Sequence, residues 1–249
     1  MRQFRQVLLG CLFLVLPLAA GAAPGDAPAL KVVVLEDAPP MAYRDAGGQL
    51  TGFSVAVMQA LCAEMNARCE FDTRQFEYLL DDLASGHFDV AAVGLLNTPE
   101  RRQKVLFTRP VYRSQTLFFA KPGVTPGQPE VRVSTFKGSA QEGYIRQQGW
   151  KSVGAQTAED MVEQLVAGVA HACVVPLMSS LSLRKSRAFL QLGLVPVILQ
   201  APEFDNAASF AITPQRADLK PALDKALDRI KVNGVYDRIN SKFLPFRVD

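Results

Sequence analysis

Short apolar runs alternate with helix-like stripes along most of the chain, and this alternation limits the possible folds more than any other feature. Residues 31–35, 88–93 and 170–175 are almost continuously apolar, which is typical of strands buried on both faces. Apolar residues at helical spacing lie between such runs, as in residues 55–66. Strands and helices in this order predict parallel βαβ units and therefore an α/β fold.

The alternation occurs twice. The first set ends near Lys121-Pro122-Gly123, the second begins at Val131, and a long helix near the C-terminus stops at Asn233-Gly234. We therefore expect two α/β lobes. Ligands of open α/β sheets bind beyond the carboxyl ends of the strands, so a cleft between the lobes that closes by a hinge motion is the expected binding site.

Residues 1–23 have the layout of a secretory signal peptide. Arg2 and Arg5 precede an apolar run at 7–20, and small residues follow up to Ala23. A membrane anchor is the alternative, but a run of about 14 residues is short for a hydrocarbon layer of ~30 Å. We predict cleavage after Ala22 or Ala23 and export to the periplasm.

Export places the cysteines in an oxidising compartment, where close pairs form disulfides. Cys62 and Cys69 lie at the end of a predicted helix and the start of a predicted strand, so we expect them to be bonded. Cys173 lies inside an apolar run and is expected to be a buried thiol.

Charge and motifs exclude several classes of function. Without Arg2 and Arg5, the 27 basic residues become 25 against 24 acidic ones, and no basic stripe predicts nucleic-acid binding. His87 and His171 lack the neighbouring ligands of a metal site, so structural roles are expected for both. No phosphate loop, dinucleotide fingerprint or nucleophile elbow is found, and we expect neither a metal nor a cofactor.

An ordered set of short motifs carries a family resemblance. It comprises Pro39-Pro40, Gly52-Phe53, Gly86, Asp89, Thr98-Pro99-Glu100-Arg101, Phe107-Thr108 and Asn233-Gly234-Val235-Tyr236. The set resembles the type II periplasmic amino-acid-binding proteins and covers nearly all of the mature chain. The spacing of Cys62 and Cys69 is similar to that of the disulfide in the histidine- and lysine/arginine/ornithine-binding members. By this resemblance, lobe 1 is residues 24–112 plus 208–249 and lobe 2 is residues 113–207.

The resemblance also implies a ligand site. Arg101 would bind the α-carboxylate of the ligand from a helix capped by Thr98, with Gly138, Ser139 and Ala140 supplying the helix start of the second lobe. From the residues alone, a solvated surface arginine is the favoured interpretation of Arg101, and Ser139 with Glu142 could be a capping box that needs no ligand. Phe76 falls at a pocket position of the family, although its helix stripe also suits core packing.

Other family positions have changed in this chain. The aromatic residue that stacks on the ligand is replaced by Ala38, the polar strand-end residues by Gly94 and Leu96, and the aspartate that pairs with the α-ammonium by Pro176. A desolvated ammonium needs an acceptor or a carboxylate. Asp37, Glu36 or Asp205 could substitute from other directions. We therefore expect a carboxylate-bearing ligand that needs no α-ammonium.

The function expected from these features is periplasmic binding of a small carboxylate-bearing solute, such as an amino acid or organic acid, for an ABC permease or another inner-membrane partner. The protein is expected to be a monomer and not an enzyme. The altered site leaves open a sensory module that signals to a membrane partner. A dehydratase-like enzyme is a further alternative, although Pro176 removes the most natural position for its acid or base.

Overall fold

The computed structural model describes residues 27–204 and 207–248. The predicted signal peptide and Asp205 lie outside the described residues. Within those ranges, no helix is long and apolar enough to cross a membrane.

The first part of the chain alternates strands and helices as its apolar pattern predicts. Its elements are β1 (Ala29–Leu35), β2 (Tyr43–Arg44), β3 (Leu50–Thr51), α1 (Phe53–Glu64), β4 (Arg68–Arg74), α2 (Phe76–Ala84), β5 (Val90–Leu96), α3 (Pro99–Arg102) and β6 (Leu106–Arg113). Strands β2 and β3 form a separate small hairpin.

A second set follows. It comprises β7 (Thr116–Ala120), β8 (Arg132–Phe136), α4 (Ala140–Gln147), β9 (Lys151–Ala155), α5 (Ala158–Val166), β10 (Ala172–Pro176), α6 (Leu177–Leu183), α7 (Arg187–Gln191) and β11 (Val195–Ile198). The chain then adds β12 (Ala207–Ile212), a 3₁₀ turn at Pro214–Arg216, α8 (Leu219–Val232) and α9 (Val235–Phe243).

The strands form two five-stranded sheets, with the orders β4-β1-β5-β12-β6 and β11-β7-β10-β8-β9. The pairs that the βαβ pattern predicts are parallel: β4-β1-β5 in the first sheet and β10-β8-β9 in the second. Strand β12 is antiparallel to both of its neighbours, and β7 is antiparallel to β10 and β11. The prediction of a two-lobed α/β fold is confirmed.

The central strands of each sheet are buried on both faces, which explains the continuous apolar runs. In β1, Val32 and Val34 pack with α1 and α8 on one face, while Val33 packs with α2 on the other. In β10, Cys173 and Val175 face one core and their neighbours face another. Successive side chains point to opposite faces of a strand, so a strand covered on both faces needs an apolar residue at every position.

The chain passes between the sheets at two neighbouring places. Strand β6 ends at Arg113 and β7 begins at Thr116, while the return passage runs from Ile198 to Ala207. The two passages lie side by side, since Ala207 is in register with Arg113 and Leu199 N donates to Thr116 O at 2.9 Å. A pair of short crossings is the connection that a hinge requires.

Three helices are absent from the sequence-based prediction. Pro176 ends β10 and is also the N-cap of α6, because its fixed φ is compatible with a helix start. Helix α7 has five residues, too few to show a helical period. Helix α9 buries Tyr236 and the polar Asn240, so its apolar stripe is weak, and α8 is not the final helix.

The expected disulfide is present. Cys62 in α1 and Cys69 in β4 are bonded, with their Cα atoms 6.0 Å apart. Cys173 is a free cysteine and fully buried in β10. Burial raises the pKa of the Cys173 thiol well above its ordinary value, so this thiol is expected to be unreactive in the folded protein.

We predict that the chain without residues 1–23 shows no reactive thiol when folded and one thiol after unfolding without a reductant. Selective reduction should lower the free energy of unfolding by about 2–3 kcal/mol, because the loop closed by the disulfide is short. Titration with Ellman's reagent in native buffer and in guanidinium checks the counts. Three thiols in the unfolded, unreduced chain would contradict the disulfide.

Candidate functional site

A cavity of about 660 Å³ lies between the two sheets and is lined by residues of both. Nine residues of the predicted ligand site line it: Asp37, Ala38, Phe76, Gly94, Leu96, Arg101, Ser139, Ala140 and Pro176. Thr98 and Gly138 are not part of the lining, but each is hydrogen-bonded to Arg101. The structure therefore brings the predicted residues together at one place.

Arg101 is held at the cavity by its short helix. The Thr98 side chain accepts a hydrogen bond from Arg101 N at 3.3 Å, and Pro99 occupies the first turn, so the predicted N-cap is confirmed. Arg101 is only 6% exposed, and Phe76 lies 5.8 Å from its guanidinium carbon. The alternative of a solvated surface arginine is wrong for Arg101, whereas it describes its exposed neighbour Arg102.

The Arg101 guanidinium has carbonyl partners but no carboxylate partner within the described chain. It donates to Leu96 O at 3.2 Å and, across the cleft, to Gly138 O at 3.3 Å. A guanidinium has five N–H donors, so three remain after these two bonds. Desolvation by burial lowers the pKa of Arg101 to about 10, with a smaller opposing effect from Glu100. The charge is thus buried without a counter-ion.

The N-terminus of α4 faces the same cavity. Ser139 N donates to Phe136 O, and Glu142 N donates to Ser139 Oγ at 3.1 Å. The backbone amides of Ala140 and Gln141, whose residues line the cavity, have no acceptor among the described residues. Such free amides at a helix N-terminus attract anions.

The predicted capping box is only half correct. Ser139 caps α4, but the Glu142 carboxylate accepts from Gly138 N at 2.8 Å rather than from Ser139 N. Since Ser139 N is already bonded to Phe136 O, Glu142 reaches one residue further back. Its other oxygen accepts from Arg146 at 2.8 Å.

The positions that differ from the family lie on the walls of the cavity. Leu96 also packs against the core of the second sheet, and Pro176 ends β10. Asp37 and Glu36, the suggested replacements for the lost acceptors, line the cavity but are exposed. Among the described residues that line the cavity, no buried carboxylate is available to pair with a ligand ammonium.

Several lining residues were not predicted from the sequence. They are polar: Ser54, Tyr112, Ser114, Thr116 and Gln141. Gln141 Nε2 donates to Thr116 Oγ1 at 3.1 Å, which connects α4 to β7. Pairing between strands places Tyr112 and Thr116 here, and no local sequence pattern signals that pairing.

Contacts across the cleft join the two sheets. Besides the bond between Arg101 and Gly138, Gln156 Nε2 donates to Glu77 Oε1 at 3.1 Å, and the Ser182 hydroxyl donates to Pro39 O. These three bonds link residues of the two lobes near the cavity.

The histidines have structural partners. His87 Nδ1 lies 2.8 Å from Ser85 Oγ, and His171 Nδ1 accepts from Arg132 N at 3.2 Å. No group of three or more His, Cys, Asp or Glu residues that could hold a metal is found within 27–204 and 207–248.

Comparison with known proteins identifies the family. Residues 30–246 match the sequence profile of the bacterial extracellular solute-binding proteins, family 3, and the chain belongs to this family. An L-arginine-binding protein of Pseudomonas aeruginosa is 27% identical over 255 residues, covering 97% of this chain and 96% of that protein.

Two further likenesses agree with this family. A lysine/arginine/ornithine-binding periplasmic protein of Escherichia coli is 25% identical over 224 residues, covering 84% of this chain and 85% of that protein. The crystal structure of a histidine kinase sensor domain with similarity to periplasmic binding proteins has a TM-score of 0.78 at 22% identity, and covers 90% of this chain and 99% of that domain. The resemblance inferred from the motifs is confirmed, and the protein is a solute-binding protein.

Replacement of Gly138 is expected to strain the backbone, because its φ of 74° favours glycine and an added Cβ would lie 3.2 Å from Glu77 Cα. We expect Gly138→Ala to lower the free energy of unfolding by about 1–2 kcal/mol. Gly143→Ala is the matched control: Gly143 is an exposed residue of α4 with open space around it, so this change should raise stability by about 0.5–1 kcal/mol. Urea unfolding measures both, and shifts of the same sign would contradict the strain at Gly138.

Proposed function

We propose that this protein is a periplasmic binding protein that takes up a small carboxylate-bearing solute between its lobes and delivers it to an ABC permease. The observation that carries the proposal is the Arg101 guanidinium, which is buried at the cavity without a counter-ion. A buried charge is costly unless it is paired, and a ligand carboxylate would pair it.

The geometry around Arg101 suits a carboxylate in particular. Guanidinium N–H groups bind the two oxygens of a carboxylate side by side, and three N–H donors of Arg101 remain for this purpose. The free amides of Ala140 and Gln141 add donors from the opposite side of the cleft. A carboxylate held by both lobes would favour the closed state, because its contacts are complete only there.

The remainder of the solute would meet mostly apolar walls. By the resemblance, Leu96 and Pro176 replace groups with which the family holds an α-ammonium, and Ala38 replaces the aromatic residue that stacks on the ligand. Phe76 adds an aromatic face beside Arg101. Relatives are named for arginine and other amino acids, but this lining disfavours an α-amino acid as the solute. We propose an organic acid without an α-ammonium.

We propose that residues 24–112 plus 208–249 and residues 113–207 are the two bodies that close on the solute, with the crossings at 113–116 and 198–207 as the hinge. The protein would act as an exported monomer after loss of residues 1–23. A cavity with an intact, buried anion site supports solute delivery over a sensory module that has lost its ligand. Stimulation of ATP hydrolysis by a reconstituted permease would distinguish delivery from sensing.

We predict that Arg101→Ala weakens binding of a carboxylate solute by about 2–5 kcal/mol, because the bidentate charged contact is lost. The melting temperature should change little, since the deleted charge is unpaired. Calorimetry with the tightest-binding acid from a panel of organic acids measures the affinity.

The adjacent, exposed Arg102 provides a matched control. Its side chain donates to Asn97 O at 2.7 Å and does not line the cavity, so Arg102→Ala should bind like the wild type. Equal affinities of Arg101→Ala and the wild type for every acid in the panel would overturn the proposed site.

We predict that 2-amino acids bind at least tenfold more weakly than organic acids of the same carbon skeleton, because the ammonium loses its hydration without gaining a carboxylate. A thermal-shift screen that pairs each amino acid with its 2-oxo acid tests this. Micromolar binding of a common α-amino acid would contradict the prediction and would indicate Asp37 or Glu36 as a replacement partner.

A further inference from the structure

The wall of the cavity in the first sheet is built by three adjacent strands. Leu96 of β5 is in register with Ala208 of β12, which is in register with Tyr112 of β6. Gly94 lies two residues before Leu96, and alternate residues of a strand share a face. All four residues line the cavity, so they form one continuous surface.

On this surface, the Tyr112 hydroxyl occupies the space that a side chain at position 94 would take. A Cβ added to Gly94 would lie 1.8 Å from Tyr112 Oη, far inside contact distance. The tyrosine ring is 5% exposed and packs edge-on against Phe53 at a centroid distance of 5.8 Å. The absent side chain of residue 94 is thus replaced by a hydroxyl group that a different strand holds rigidly.

This hydroxyl has no hydrogen-bond partner in the part of the chain that the structure describes. The Oγ atoms of Ser54 and Ser114, also on cavity-lining residues, are buried and similarly unpartnered. Buried hydroxyls without partners, such as these two serine hydroxyls, are uncommon in folded proteins because leaving them unbonded costs free energy; the Tyr112 Oη atom is not one of these buried atoms. Desolvation raises the pKa of Tyr112 well above its ordinary value, so the hydroxyl keeps its proton and remains a donor at physiological pH.

The charges around the cavity indicate which ligand group the Tyr112 hydroxyl would bind. The acidic residues in its lining, Glu36, Asp37, Glu159 and Glu163, are all exposed. An ammonium at the tyrosine wall would therefore be desolvated without a counter-charge, whereas an uncharged oxygen would accept the tyrosine proton without that cost. Gly94 is two residues, about 7 Å of strand, from the Leu96 carbonyl that holds Arg101. Both recognition groups therefore contact the same short stretch of β5, Arg101 at Leu96 and Tyr112 at Gly94.

We propose that the Tyr112 hydroxyl is a specificity-determining donor that, together with Arg101, selects a carboxylate bearing a hydroxyl or carbonyl oxygen on a nearby carbon. The ligand class is that of the hydroxy acids and oxo acids. This inference rests on the proposed carboxylate site at Arg101 and names the second group that the ligand carries.

Calorimetry with one carbon skeleton tests the assignment. The probes are 4-methylpentanoate, its 2-hydroxy, 3-hydroxy and 2-oxo derivatives, and leucine, whose branched chain matches the apolar walls. At least one hydroxy or oxo acid should bind wild-type protein tenfold or more tightly than the parent acid. Tyr112→Phe should remove this advantage and leave the affinity for the parent acid within about twofold.

Control variants separate recognition from folding. Tyr112→Phe deletes an unpartnered hydroxyl, so its melting temperature should be unchanged or higher. Tyr78→Phe makes the same change at an exposed residue outside the cavity lining and should keep the selectivity of the wild type. Gly94→Ala places a methyl group against Tyr112 Oη and should lose the selectivity as Tyr112→Phe does.

The outcomes distinguish this inference from the proposed function. If the acids bind in an Arg101-dependent manner but show no preference for the added oxygen, or if Tyr112→Phe keeps that preference, the tyrosine assignment is overturned and the carboxylate site stands. Leucine binding as tightly as the 2-oxo acid also overturns the assignment. If no acid binds to wild-type protein, both proposals fail.

Discussion

The candidate site depends on one buried charge, the guanidinium of Arg101. It is fixed by a short helix that Thr98 caps, and its donors reach a carbonyl on each side of the cleft. The position lowers the pKa of Arg101 because the charge is desolvated. A buried charge is unfavourable unless it is paired, and charged groups with strongly shifted pKa values are characteristic of functional sites.

The two sheets determine what can meet this charge. The central strands of each sheet are covered on both faces and are therefore apolar, and the cavity lies between the sheets rather than inside either one. In the described chain, passages after β6 and after β11 connect the sheets, and hydrogen bonds across the cleft at Glu77 and Pro39 accompany the one at Arg101. Three hydrogen bonds can break without disturbing the core of either sheet, so the cleft can open.

The cavity lining differs from the family pattern both in polar groups that are missing and in polar groups that are present. By the resemblance, the positions at which the family holds an ammonium are occupied by Gly94, Leu96 and Pro176, and none of their side chains can accept a hydrogen bond. In their place, the cavity wall carries hydroxyl groups from Ser54 and Tyr112. The chain therefore keeps the fold of a solute-binding protein, while the polar groups that line its cavity differ from those that the resemblance implies.

The sequence alone determined the features that depend on residues close to one another along the chain. The apolar runs specified doubly buried strands, Thr98 and Pro99 specified the helix start below Arg101, and the close spacing of Cys62 and Cys69 specified the disulfide. Only the tertiary structure decided which distant backbone groups meet. The carbonyl of Gly138 reaches Arg101, and the Tyr112 hydroxyl fills the space at Gly94, because packing and strand register join segments that no local pattern connects.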